Sequence, residues 1–391
     1  MSLEPRIIKE SFASIEPVAD KAVHYFYGRL FAENPRLRAL FPPAMDAQRD
    51  RLLHALTEIV WSLDSPESLA GRLGGLGRAH RKYGVRREHY PALGSALIAT
   101  LREFSDDWNP ETEAAWTAAY RRAADLMTAA AERDGAHAPP WWVAEVAAHE
   151  RRTHDLAVLT LRPDRPLPFA AGQYVTVQTA RWPRVWRPFS AAGAPRPDGL
   201  LRLHVRAVPG GWVSGALVRH TRPGDTVLLG PALGAMALDP DSDRDLLLVA
   251  GGTGLAPLKA LAEQAAADGA DRRVHLLVGA RTERDLYDLP DLRLLESARP
   301  GLRVVPVVSD DPDFQGVRGA VPDVLDRFDG WDGHDVYVAG PTPMVRRTVQ
   351  ALQELGTPLE RVHHDLLEAE RNGSAPRRSS PSRPSLPARR S

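Results

Sequence analysis

The chain has no cysteine among its 391 residues, and that absence closes off whole classes of chemistry. Iron–sulfur clusters are normally held by cysteine thiolates, and disulfide and thiol-redox reactions need the same side chain. Net charge is missing as well: 50 Lys and Arg balance 50 Asp and Glu, so no global field favours nucleic acid or an anionic membrane. No N-terminal stretch has the apolar core of a signal peptide, and no apolar run approaches the ~20 residues that a membrane helix needs. A cytoplasmic protein with no nucleic-acid partner and no membrane insertion is expected.

What is present is an ordinary hydrophobic content, 43%, over a length that suits two or three domains. From about Glu4 to Arg133 apolar residues recur at helical spacing. Val18, Ala22, Phe26 and Leu30 form one stripe, Leu52, Leu56, Ile59 and Leu63 another, and Leu69, Leu73 and Leu76 a third. Tyr90, Leu93, Leu97, Leu101 and Phe104, then Trp116, Tyr120, Ala123 and Met127, complete the series. With Pro35, Pro42, Pro66, Pro91 and Pro110 near the breaks, about six helices are expected.

After the stretch Gly135 to Pro140 the apolar period becomes two. Strands over Leu156 to Leu161, Tyr174 to Val177, Leu200 to Val208 and Thr226 to Leu229 predict a small antiparallel barrel. From Asp245 strands alternate with helices: Leu246 to Ala250, Val274 to Val278, Val304 to Ser309 and Val336 to Ala339 against Ala256 to Ala267, Leu292 to Ala298, Val321 to Phe328 and Met344 to Leu355. That alternation predicts a parallel sheet. Arg371 to Ser391, rich in Ser, Pro and Arg with one leucine, reads as a disordered basic tail that could meet a weak partner. The predicted division is a helical domain over 1–134, a linker over 135–141, a barrel over 142–239, an α/β domain over 240–370 and the tail over 371–391.

Several motifs carry chemistry on this frame. Gly251, Gly252, Thr253 and Gly254 follow a buried strand and open a helix, where backbone N–H groups can receive a pyrophosphate. Gly340 and Pro341 follow another strand at the same carboxyl edge. Either turn alone also fits an empty βα connection; two on one edge point to a nucleotide. In the barrel, Arg187 can pair with a phosphate, Phe189 offers a flat ring face and Ser190 a hydroxyl, while Gly210-Gly211-Trp212-Val213-Ser214 adds N–H groups and a second hydroxyl. In the helical part, His80 extends the Leu69, Leu73, Leu76 stripe, Gln48 lies one turn before Leu52, and Tyr27 sits on an inner face. Buried polar groups need partners, which a polar ligand or cofactor would supply.

Over roughly Trp141 to Leu366 these motifs resemble the ferredoxin-reductase-type superfamily. The resemblance implies FAD on the barrel and NAD(P)H on the parallel sheet. Arg187 and the Val213–Ser214 turn would hold the FAD pyrophosphate, Phe189 would lie against the isoalloxazine, and Ser190 would lie near flavin N5. Phe189 stands where the family often has tyrosine, and Ala339 where many members have cysteine. Arg281 and Arg284 suit a 2′-phosphate while Glu283 and Asp285 suit a ribose hydroxyl, so both nucleotides stay open, with NADH preferred.

The helical part resembles a flavohaemoglobin haem domain. The resemblance rests on Tyr25 to Pro35, Leu37 to Phe41, Gln48, Arg78-Ala79-His80 and Glu88-His89-Tyr90. It implies haem b with His80 as proximal iron ligand, Tyr27 and Gln48 as the distal pair, Phe41 packed on the haem, and Tyr90 hydrogen-bonded to His80. Ala79 stands where many members have a lysine that reaches the flavin. The family's proximal glutamate falls nominally at Ala131, with Glu132 next to it, and the segment that covers the flavin is replaced by His363-His364-Asp365-Leu366. The predicted fold is therefore an all-α globin, an antiparallel β-barrel FAD domain and an α/β parallel-sheet NAD(P)-binding domain. The implied activity passes electrons from NAD(P)H through FAD to haem and oxidises NO with O2 to nitrate. Two alternatives stay open: the same cofactors acting on peroxide, lipid or another donor, and an oxygen-binding sensor whose reductase keeps its iron ferrous.

Overall fold

The computed structural model describes residues 4–267, 272–328 and 330–364. Its first part holds α1 (Pro5–Ile15), α2 (Ala19–Glu33), α3 (Asp46–Trp61), α4 (Pro66–His80), α5 (Tyr90–Phe104) and α6 (Pro110–Gly135). Four of these begin with proline in the first two positions, where its missing N–H costs nothing and its fixed φ already suits a helix. Asn109 caps α6, its side-chain oxygen accepting from the backbone N–H groups of Glu111 and Thr112. The α2 stripe buries Val23, Phe26, Tyr27 and Leu30 against Leu37 and Ala96.

The second part is a sheet of β1 (Trp142–Arg151), β2 (Leu156–Pro163), β3 (Tyr174–Thr179), β4 (Arg187–Ser190), β5 (Leu201–Arg206) and β6 (Thr226–Leu229), with α7 (Trp212–Arg219) between the last two. The strand order β4-β3-β6-β1-β2-β5 is antiparallel throughout, and a bridge from Ala191 to Leu203 brings its two ends together as a nearly closed barrel.

The third part comprises β7 (Leu246–Gly251), α8 (Leu255–Ala267), β8 (Val274–Ala280), α9 (Leu289–Ser297), β9 (Leu302–Val308), β10 (Val317–Arg318), β11 (Asp335–Ala339), α10 (Thr342–Glu354) and β12 (Val362–His364). The strands are parallel in the order β10-β9-β8-β7-β11-β12. The chain winds outward from β7 to β9 and then returns to the other side of β7, so β7 and β11 flank the switch point where such sheets bind ligands. The helix expected over Val321 to Phe328 is instead two short 3-10 turns, Val321–Asp323 and Leu325–Arg327. Gly319 and Pro322 shorten the segment, and burial of Val321, Val324 and Leu325 holds the turns in place. Among the described residues no helix is long and apolar enough to cross a membrane. Asp365, Leu366 and the basic segment 371–391 lie outside the described residues.

Candidate active site

One cavity of about 660 Å³ runs from the helical part into the barrel. Tyr27 from α2, Gln48 from α3, His80 from α4 and Tyr90 from α5 all line it, together with Phe41. At the other end it is closed by Tyr174 and Thr176 of β3, Trp186, and Arg187 and Pro188 of β4. The walls are mostly apolar, yet four cations reach them, Arg51, Lys82, Arg122 and Arg187, and among the described residues no aspartate or glutamate does.

On the α2–α3 side, Gln48 donates its amide N–H to the hydroxyl oxygen of Tyr27 over 3.4 Å. Burial pushes the Tyr27 phenol up to about 12, against the smaller opposing effects of Gln48, Arg51 and Arg49. It therefore stays a protonated donor at any physiological pH. The ring packs edge-on against Phe41 at 5.6 Å and stacks with Phe31 at 5.7 Å, which fixes its aim.

On the α4 side, His80 Nδ1 lies 2.6 Å from the carbonyl oxygen of Leu76. A carbonyl can only accept, so Nδ1 carries the proton and Nε2 keeps its lone pair for a metal. Burial lowers the His80 pKa, which keeps the ring neutral as ligation requires. The hydrogen bond between Tyr90 and His80 that the resemblance implied is absent among the described residues. Tyr90 instead gives its backbone carbonyl to Tyr120 at 2.6 Å. Glu132 is exposed, and neither it nor Ala131 lines the cavity, so among the described residues no carboxylate is bonded to the histidine.

In the barrel, β4 sets Arg187, Phe189 and Ser190 in register against Val177, Val175 and Tyr174 of β3. Arg187 is exposed and engages the Trp186 carbonyl at 2.9 Å, while the rings and hydroxyls of Phe189 and Ser190 are half-buried. Ser214 lies in the first turn of α7, its hydroxyl donating to the Gly211 carbonyl at 3.3 Å. Val213 is 1% exposed within the barrel core, so only its backbone N–H can serve a ligand.

At the sheet's carboxyl edge the two glycine turns meet. A Cβ on Gly254 would fall 2.3 Å from the Ala339 carbonyl and 2.5 Å from the Gly340 nitrogen, so only glycine lets α8 start this close to β11. The result is a ledge of backbone N–H groups at the switch point, made by Gly251, Gly252, Thr253 and Gly254 with Gly340 and Pro341 beside them. Past β8, Asp285 accepts from both the backbone N–H and the hydroxyl of Thr282, which commits it to the turn. Arg281, Glu283 and Arg284 remain exposed there. His363 stacks on Tyr337 at 4.7 Å, and among the described residues no group of three His, Cys, Asp or Glu side chains could hold a metal.

Two buried polar pairs were not found by sequence reasoning. His204 of β5 bonds the Tyr287 hydroxyl at 2.8 Å and so ties the barrel to the sheet part, while Lys259 of α8 pairs with Asp288 at 2.7 Å within the sheet part.

Three family models match the chain: Globin over residues 24–127, Oxidoreductase FAD-binding domain over 143–237 and Oxidoreductase NAD-binding domain over 248–350. The chain is 35% identical over 224 residues to the xylene/toluene monooxygenase electron transfer component of Pseudomonas putida, covering 56% of this chain and 63% of that one. It is 34% identical over 225 residues to the reductase component of the naphthalene 1,2-dioxygenase system of the same organism, covering 56% and 67%. It thus spans about two thirds of the length of these reductase relatives. A flavohemoprotein of Bordetella pertussis is 27% identical over 397 residues, covering 92% of this chain and 96% of that one. The crystal structure of a flavohemoglobin from Malassezia yamatoensis with bound FAD and heme superimposes with a TM-score of 0.73 at 19% identity, over 92% and 98% of the two chains, and so shares the fold. With a globin, an FAD-binding barrel and an NAD-binding sheet in one chain, this protein belongs to the flavohaemoglobin family of oxidoreductases.

Proposed function

We propose that the protein is a cytoplasmic, NAD(P)H-dependent nitric oxide dioxygenase, with O2 and NO as substrates and nitrate as product. When bound, FAD accepts hydride and hands on single electrons, and haem b binds oxygen. The observation that carries this reading is the single cavity that joins the Tyr27–Gln48 pair and His80 to the barrel wall at Arg187. Leu76 fixes the His80 proton on Nδ1, so Nε2 is presented as a neutral ligand. Gln48 occupies an acceptor site on Tyr27, which leaves the phenol proton to be donated to a distal oxygen. Arg187 and the Ser214 turn would hold the FAD pyrophosphate, and Phe189 and Ser190 would serve its ring system. The ledge formed by Gly251 to Gly254 and Gly340 receives the nicotinamide nucleotide.

The neutral backing of His80 also bears on the alternatives. A carboxylate partner would make the imidazole more basic and favour scission of an O–O bond, as peroxide chemistry requires. A carbonyl partner does so far less, which disfavours the peroxide alternative. The test is anaerobic stopped flow of the haem- and FAD-loaded protein with NADH and, separately, NADPH. Flavin bleaching followed by haem reduction, and NO consumption with stoichiometric nitrate once O2 is admitted, is expected. Flavin reduction with haem left ferric would defeat the proposal.

A further inference from the structure

Lys82 is the least expected residue at the junction of the helical part and the barrel. It is 8% exposed, yet no carboxylate pairs with it among the described residues. Its ammonium donates to the hydroxyl of Thr176 at 3.1 Å and lies 5.4 Å from the Trp186 ring centre and 5.5 Å from that of Tyr83. The aliphatic stem crosses Gly230: a Cβ there would fall 2.3 Å from the Thr176 hydroxyl and 3.7 Å from Lys82 Cδ. The barrel therefore has a socket, formed by Thr176, Trp186 and Gly230, shaped for a side chain that the helical part supplies.

A hydroxyl and two ring faces do not neutralise a buried ammonium, and burying an uncompensated cation is costly. Arg51 lines the same cavity as Lys82. Lys82, two residues along the chain from His80, thus shares with Arg51 a cavity that no acidic side chain lines among the described residues. The missing charge is anionic, and a porphyrin held by His80 carries carboxylates on its edge.

We propose that Lys82 pins the two parts together through the haem: seated in the barrel socket, its ammonium is the counter-charge for a porphyrin carboxylate, so haem retention depends on the barrel being docked. This rests on the reading of His80 as the iron ligand. The role of Lys82 is positional, and removing either the charge or the socket breaks the same link.

The test is the rate of haem loss from the full, FAD-loaded chain to an excess of a haem-free acceptor globin. Lys82→Met should lose haem at least about tenfold faster, since a charge-assisted bond is removed at constant bulk, and Lys82→Arg should restore most of the retention. Gly230→Ala lies in the barrel, outside the cavity lining, and should also speed the loss while the flavin absorbance stays intact. Wild-type rates in Lys82→Met would overturn the proposal. A fast Lys82→Met beside an unchanged Gly230→Ala would overturn the coupling to the barrel. A wild-type chain that retains no haem would overturn the reading of His80 itself.

Discussion

The Gln48 amide points its N–H at the Tyr27 oxygen, and this direction of donation settles what the phenol can do. With an acceptor site of its oxygen already used, the Tyr27 proton is left to an incoming ligand. Tyr27→Phe should therefore speed O2 dissociation from the ferrous protein by roughly ten- to a hundredfold, the worth of about 1.5 to 3 kcal/mol for a donor in a dry pocket. Flash photolysis measures it, and an unchanged rate would remove Tyr27 from the distal role.

His80 gives its proton to a backbone carbonyl, so its bond to iron should have the stretching frequency of a neutral imidazole. Resonance Raman of the ferrous, ligand-free protein reads this directly. A frequency raised into the range of carboxylate-backed histidines would mean that a carboxylate reaches His80 after all.

The buried His204 couples stability to acidity. Burial holds its pKa well below the ordinary value of 6.5, with Lys259, Arg152 and Arg202 adding to the effect. As pH falls below about 6.5 the unfolded chain takes up a proton that the folded chain refuses, so stability is full above that pH and declines below it. His204→Gln, which can still bond Tyr287, should flatten the fall in Tm between about pH 7 and pH 5. If the slope is the same in the variant, other groups carry it.

Lys259 and Asp288 are 3% and 1% exposed, and burial raises the Asp288 pKa despite the lysine beside it. The pair is thus a poor source of stability and a strong constraint. Lys259→Met alone should cost about 3 to 5 kcal/mol by stranding a carboxylate, and adding Asp288→Leu should recover most of it. Urea titrations of the single and double variants decide this; equal losses in both would show that the pair itself stabilises.

Much of this architecture could be read from periodicity. The α2 and α4 stripes place Tyr27 and His80 inward by simple 3-and-4 spacing, and the glycine turns announce the switch point because they follow apolar strands. Other elements left weaker marks. Trp142–Arg151 was not foreseen because Glu145, His149 and Glu150 interrupt its apolar run, and α7 was hidden inside a glycine-led motif that reads as a loop. The His80 partner is a backbone carbonyl, which no side-chain pattern encodes. Lys82 meets Thr176 across 94 positions, so neither residue hints at the other until the barrel docks.

The shared wall of the cavity also imposes an order in time. Helices enclose it on one side, and Trp186, Arg187 and Pro188 shut it on the other. A rigid planar group larger than a gap between side chains enters most readily while that wall is still absent. The helical part leaves the ribosome first, so cofactor capture would precede closure by the barrel. The finished molecule would then keep its haem by having built its second half over it.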